Sequence, residues 1–169
     1  MELKELSEKT LALFGVASCD KLGEALMKCL INDDRRLLSA FADMVGDLSV
    51  DWLQKIYQYY QADRKDKKQD YTPKSVAEFM ARLCGNADVT VDLCAGSGAL
   101  TIQKWNVNKS CSFILYELDA NVIPYLLFNM AVRNIGCVIY NADALQSEIF
   151  KIYKISAGEN FGTMKECAA

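Results

Sequence analysis

The sequence predicts an α/β fold: a short sheet of about three or four parallel strands behind an N-terminal α-helical region. Three observations carry that reading. From about residue 75, apolar runs of strand length alternate with segments of helical periodicity. A Gly-x-Gly turn, Gly96-Ser97-Gly98, follows the first of those runs. Residues 1–60, by contrast, show helical spacing only. The chain has 169 residues, which suits one domain or one domain with a helical extension.

The N-terminal region divides into four amphipathic segments. Leu3, Leu6, Leu11, Leu13 and Phe14 share one helical face, and Leu22, Leu26, Cys29 and Leu30 share another. Leu37, Leu38, Phe41, Met44 and Val45 form a third set, and Trp52, Leu53, Ile56, Tyr57 and Tyr60 a fourth. Asn32-Asp33-Asp34 and Ser49 suit helix starts, and Gly15 and Gly46 suit helix ends. The region reads as a helical support. Residues 61–75, QADRKDKKQDYTPKS, read as a polar linker with Arg64, Lys65, Lys67 and Lys68 on its surface.

Residues 76–169 hold the alternation. Ser75 to Leu83 is a helix with Val76, Phe79, Met80 and Leu83 on one face. Val89 to Leu93 is a short buried strand, and Gly98 to about Trp105 opens a helix. Phe113 to Tyr116 is a second strand. Ala120 to about Arg133 is a helix, closed by Asn134-Ile135-Gly136, with Pro124 inside it. Cys137 to Tyr140 is a third strand and Phe150 to Ile155 a fourth. Strands alternating with helices imply a parallel sheet with right-handed crossovers. Alternating lysines in the fourth strand suit an edge position.

Composition narrows the chemistry. A hydrophobic fraction of 51% and a net charge of −3 exclude disorder along the whole chain. No run approaches the roughly 20 apolar residues of a membrane span, and the N-terminus carries no apolar signal region. No histidine occurs, so His-based catalysis and His-ligated zinc are excluded, and no metal site is expected. Seven cysteines without a CxxC pair read as buried, reduced thiols of a cytoplasmic protein. The pI of about 5.1 argues against autonomous nucleic-acid binding, which needs concentrated Lys and Arg.

The site-bearing segment is Val91-Asp92-Leu93-Cys94-Ala95-Gly96-Ser97-Gly98. Gly96 permits a sharp turn, Gly98 permits close approach of backbone to a ligand, and the next helix offers free N–H groups. A dinucleotide site would want a third glycine, and a P-loop would want GxxxxGK[ST]; neither is present. Asp92 beside the loop repels a diphosphate and suits a cationic or amine-bearing ligand. Glu117 ends the second strand, where an acid can accept ribose hydroxyls, and Asp143 ends the third, where an acid can accept an adenine amine.

Those motifs, in this order, resemble the S-adenosylmethionine half of adenine-N6 DNA methyltransferases, nearest to the modification subunits of type I restriction–modification systems. The resemblance spans residues 69–145, with the order of that family's gamma class. Tyr71-Thr72-Pro73 resembles the family's aromatic-Thr-Pro motif, and Asp92 to Gly98 its Asp-x-x-x-Gly-Ser-Gly loop. The resemblance implies a partial Rossmann-like methyltransferase sheet that binds S-adenosylmethionine, in the strand order 3-2-1-4, its bare side covered by the N-terminal helices or a second subunit. The residues it assigns to the cofactor are Tyr71, Thr72, Pro73, Asp92, Ala95, Gly96, Ser97, Gly98, Glu117, Leu118, Asp143 and Ala144.

The family's catalytic Asn/Asp-Pro-Pro-Tyr/Phe motif is missing, since the two prolines are Pro73 and Pro124. No catalytic residue is therefore assigned, and the isolated chain is expected to be inactive. DNA is expected as a substrate only through a larger assembly, with a partner subunit or a homodimer, and no membrane is involved. The alternatives are a non-catalytic module for cofactor binding or partner assembly, and a small-molecule or RNA methyltransferase.

Overall fold

The structure is a computed structural model that describes residues 2–60 and 72–168. Tyr71 and most of the polar stretch from residue 61 lie outside the described residues. Helices α1 (Leu3–Phe14), α2 (Leu22–Ile31), α3 (Arg35–Val45) and α4 (Trp52–Tyr60) come first. Then follow α5 (Lys74–Leu83), β1 (Val89–Asp92), α6 (Ala99–Val107), β2 (Ser112–Glu117), α7 (Ile123–Val132), β3 (Cys137–Asp143), β4 (Glu148–Ser156) and β5 (Thr163–Cys167).

Local chemistry sets the helix ends. Gly15 and Gly46 stop α1 and α3 with φ of 66° and 68°, a region that glycine enters without a Cβ clash. Asp34 caps α3 by accepting from the N–H groups of Arg36 and Leu37. The cap of α4 is Asp51, which accepts from Gln54 N–H at 2.9 Å; Ser49, expected in that role, lies two residues too early. Similarly, α7 starts three residues later than the periodicity suggests. Pro124 occupies its first turn, where the missing N–H costs no helical bond.

The sheet has five strands in the order β1-β2-β3-β4-β5. Strands β1, β2 and β3 are parallel, as expected. The expected order 3-2-1-4 is not found: β4 pairs with β3, and does so antiparallel. The reason lies in the connection. Only Ala144, Leu145, Gln146 and Ser147 separate β3 from β4. A parallel crossover needs about a dozen residues or more, whereas four suffice for a hairpin. Strand β5, which the sequence did not signal, adds to β4 antiparallel. Consequently β1 is left at one edge. The N-terminal helices cover one face of the sheet through α7, not the β1 edge.

Helix α7 explains that arrangement. Every residue from Tyr125 to Val132 is buried, so the helix is apolar around its whole circumference and needs cover on both sides. Strands β3, β4 and β5 supply one side, and α2, α3 and α4 supply the other. Phe128 sits edge-on to Phe14 and Phe41, with ring centroids 5.4 and 5.1 Å away, and Tyr125 meets Tyr57 at 5.0 Å. One hydrophobic cluster thus runs from Leu6 to Ile155. On the sheet, Phe113, Leu115, Cys137, Ile139, Tyr153 and Ile155 are buried. The opposite face is not: Val89, Val91 and Leu93 are 52%, 55% and 57% exposed, and Tyr116 and Tyr140 stack there at 4.8 Å.

Burial on α5 and at the cysteines is more selective than the sequence pattern. Helix α5 buries Ala77 and Ala81, while Val76, Phe79, Met80 and Leu83 are exposed. Two alanines four residues apart let α5 approach α6 closely. All seven cysteines are free, as expected, but only Cys29, Cys111 and Cys137 are buried, and Cys84 and Cys94 are exposed. Burial pushes the Cys137 thiol up to about 12 and the Cys29 thiol up to about 11. Among the described residues, no helix is long and apolar enough to cross a membrane.

If α7 joins the helices to the sheet, Phe128→Ala removes a fully buried ring at that junction and should cost about 3–5 kcal/mol. Urea unfolding measures it; a loss under about 1 kcal/mol would contradict the role given to this ring.

Candidate functional site

Asp92, Glu117 and Asp143 end three neighbouring parallel strands, so all three lie along one edge of the sheet. The register staggers them. Asp92 is level with Leu115, and Glu117 is level with Asn141. Each acid therefore sits two residues farther out than the last, a step of about 6.6 Å at strand rise.

Between the first two acids runs the loop from Leu93 to Gly98. Gly96 and Gly98 hold φ of 56° and 99°. Gly96 N–H donates to Glu117 Oε2 at 2.8 Å, and Asp119 N–H donates to Oε1 at 2.7 Å. Ala95 N–H donates to Tyr116 O at 2.8 Å, which binds the same loop to the β2 backbone. Cys94 N–H donates to Asp92 Oδ1 at 3.1 Å. The glycine loop is thus tied to two strand ends, and Gly98 then opens α6.

The electrostatics follow from burial. Desolvation pushes Asp92 above the usual carboxylate range, opposed by the Cys94 N–H. Desolvation also raises Glu117, opposed by the N–H groups of Asp119 and Gly96. Asp92 Oδ2 is buried without a hydrogen-bond partner among the described residues, as is Thr101 Oγ1. Both residues line a groove of about 210 Å³ that Met80, Cys84, Val91 and Leu100 also line. A buried, unpaired carboxylate oxygen is costly unless a donor or a cation reaches it. These carboxylate acceptors therefore fit a ligand that carries an amine or another positive centre and disfavour a phosphate.

The other expected site residues are placed as follows. Ala95, Ser97 and Gly98 are buried, and Leu118 is 58% exposed beside Glu117. Asp143 Oδ1 accepts from Leu145 N–H at 2.9 Å and Gln146 N–H at 3.0 Å, so it shapes the turn after β3, where Ala144 is half-buried. Thr72 and Pro73 precede α5, and no hydrogen bond among the described residues joins them to the loop. Tyr71 lies outside the described residues.

Sequence reasoning missed a buried polar group beneath the loop. Ser97 Oγ donates to Asp51 Oδ2 at 2.7 Å, and Asn129 Nδ2 donates to Asp51 Oδ1 at 2.8 Å and to Ser97 O at 2.9 Å. Arg133 donates to Asn129 Oδ1, Leu48 O and Val50 O. Burial pushes Asp51 above the carboxylate range and lowers Arg133 to about 10, still well above neutrality. The available signal was Asn129, a lone amide within the apolar run of α7. Asn141 was missed as well; its Nδ2 donates to Glu117 O and Leu118 O, each at 3.0 Å.

The residues after β4 lie at the wrong end for this site. The antiparallel register sets Ile155 against Cys137 and Glu148 against Asp143. Chain leaving β4 therefore heads for the opposite edge; along the strand direction Ile155 is set back by about 7 Å from Asp92, about 13 Å from Glu117 and about 20 Å from Asp143.

A strand-end acid, a Gly-Ser-Gly loop bonded to the next strand's acid, and parallel β1 to β3 form one constellation. Comparison with protein families agrees with it: residues 42–163 match the N-6 DNA methylase model. The chain belongs to the N-6 DNA methylase family. Comparison with curated proteins and with solved structures gave no match. The N-6 DNA methylase match begins within α3, so it takes in Asp51 as well as the loop.

Gly98→Ala tests the loop's tolerance. A Cβ there would lie 2.7 Å from Met130 Cε and 3.0 Å from Leu126 Cδ1, at a φ that L residues disfavour. The expected loss is about 2 kcal/mol or more. Gly85→Ala, with φ +61° and nothing within 4 Å, should lose about 1 kcal/mol. Thermal unfolding of both variants gives the comparison, and equal losses would contradict the packing argument.

Proposed function

We propose that the chain binds S-adenosylmethionine, as the cofactor-holding part of a cytoplasmic DNA adenine-N6 methylase of the restriction–modification type. The observation that carries this reading is Asp92, whose Oδ2 is buried and, among the described residues, unpaired beside a glycine loop bonded to Glu117. The bound cofactor supplies an electrophilic methyl group. Around it, Asp92 and Glu117 provide negative charge for its cationic groups, and Glu117 retains lone pairs for ribose hydroxyls. Gly96, Gly98, Ala95 and Ser97 shape the backbone that the ligand approaches. Leu118, Asp143 and Ala144 take the adenine side, and Tyr71, Thr72 and Pro73 the flank before α5.

The same reading makes the isolated chain inactive in methyl transfer. No Pro-Pro-aromatic motif occurs in the sequence, and the segment after β4 leaves from the opposite edge. DNA methylation then requires a larger assembly. A second reading, a module for partner assembly, is favoured by the exposed Val89, Val91 and Leu93 on a parallel sheet, because such sheets normally have both faces covered.

Titration calorimetry of the full chain with S-adenosylmethionine tests the proposal. Saturable binding is expected, and Glu117→Ala should weaken it by about tenfold or more, since bonds to a charged acceptor are each worth roughly 1.5–3 kcal/mol. No heat, or affinity unchanged by Glu117→Ala, would overturn it. The pH dependence has a definite sign. Protonating Asp92 or Glu117 removes the negative charge that a cation needs. Because burial raises both groups, affinity should fall as the pH drops, and should begin to fall at a higher pH than ordinary carboxylates would require.

A further inference from the structure

The turn between α3 and α4 lies more than forty residues before the glycine loop, yet the structure joins the two. Four successive residues of that turn accept hydrogen bonds from the loop itself, from α6, and from α7 and the Arg133 that follows it. Leu48 O accepts from Arg133 Nε at 2.8 Å, and Val50 O accepts from Arg133 Nη2 at 2.7 Å. Ser49 O accepts from Gln103 Nε2 at 2.7 Å and from Asn106 Nδ2 at 3.3 Å. Asp51 accepts from Ser97 Oγ and Asn129 Nδ2, while its other neighbour, Gln54 N–H, begins α4.

We propose that Asp51 is a positioning residue for the glycine loop, holding Ser97 from beneath so that the loop keeps the form that binds the cofactor. Ser97 is gripped at both ends: its hydroxyl donates to Asp51, and its carbonyl accepts from Asn129, which also donates to Asp51. Its peptide lies between Gly96 and Gly98, the two residues whose positive φ makes the turn. Glycines leave a loop free to move, so something else must fix it. Glu117 does this from above through Gly96 N–H, and Asp51 does it from below. Ser97 is 1% exposed and Asp51 5% exposed, so neither side chain is open to a ligand. Any effect they have on binding acts through the loop.

Only the affinity measurement rests on the cofactor reading above; loop order is measured without ligand. The experiment is hydrogen exchange on the full chain, comparing Ser97→Ala and Asp51→Asn with the parent. Ser97→Ala removes one hydroxyl and is the variant that tests the idea should Asp51→Asn fail to fold. The amides of Ala95, Gly96 and Gly98, all bonded in the parent, should exchange about tenfold faster or more, with those of α4 and α7 unchanged. S-adenosylmethionine affinity should fall in step, by about tenfold, and the double variant should lose less than the two singles combined. Unchanged loop exchange, or acceleration spread evenly over the chain, would overturn the proposal. A parent that binds no S-adenosylmethionine but whose loop loosens in Ser97→Ala would overturn the cofactor reading and support the positioning role.

Discussion

A helix that is apolar on every side cannot lie at a protein surface, and α7 is such a helix. The rest of the structure answers that constraint. The sheet covers one flank of α7, and the N-terminal helices cover the other. The β3–β4–β5 antiparallel extension belongs to the same solution, because Tyr153 and Ile155 reach the core from β4. Contacts at the far end reinforce it: Arg35, at the start of α3, donates to Phe161 O at 2.8 Å and to Thr163 Oγ1 at 2.5 Å. The N-terminal helices are therefore packed into the same core as the sheet.

That packing brings polar chemistry with it. Once α4 lies against α7, the turn before α4 sits beneath the glycine loop. A buried carboxylate there is costly unless its oxygens are bonded, and Asp51 receives donors from Ser97, Asn129 and the α4 backbone. Above the loop the balance is left open. Glu117 is satisfied by two backbone N–H groups, whereas Asp92 keeps one buried oxygen without a partner among the described residues. The support of the site is thus complete while its mouth retains unspent acceptor capacity. That asymmetry is what the proposed cofactor site draws on.

Much of this was legible in the sequence. The three parallel strands and their intervening helices follow from periodicity, and Asp92, Glu117 and Asp143 stand at the strand ends because short apolar runs end where the chain meets solvent. Gly15, Gly46 and Asp34 marked helix ends through local backbone chemistry. The failures were non-local. The direction of β4 was misread although its four-residue connection allows only a hairpin. The apolar stripe of α5 marks one face of the helix, yet the residues it buries are Ala77 and Ala81. Asp51, Asn129 and Arg133 meet only in the folded chain, so no spacing announces them.

The central claim is that helices and sheet form one cooperative unit around α7. The two tryptophans test it directly, because Trp52 lies in α4 and Trp105 in α6. Replacing each in turn by Phe leaves a single fluorescent reporter, in α6 or in α4. Urea unfolding should give the same midpoint from Trp52 and from Trp105 once each variant's overall stability is normalised by circular dichroism. Two separated transitions, with Trp52 losing its environment while the sheet persists, would contradict the account.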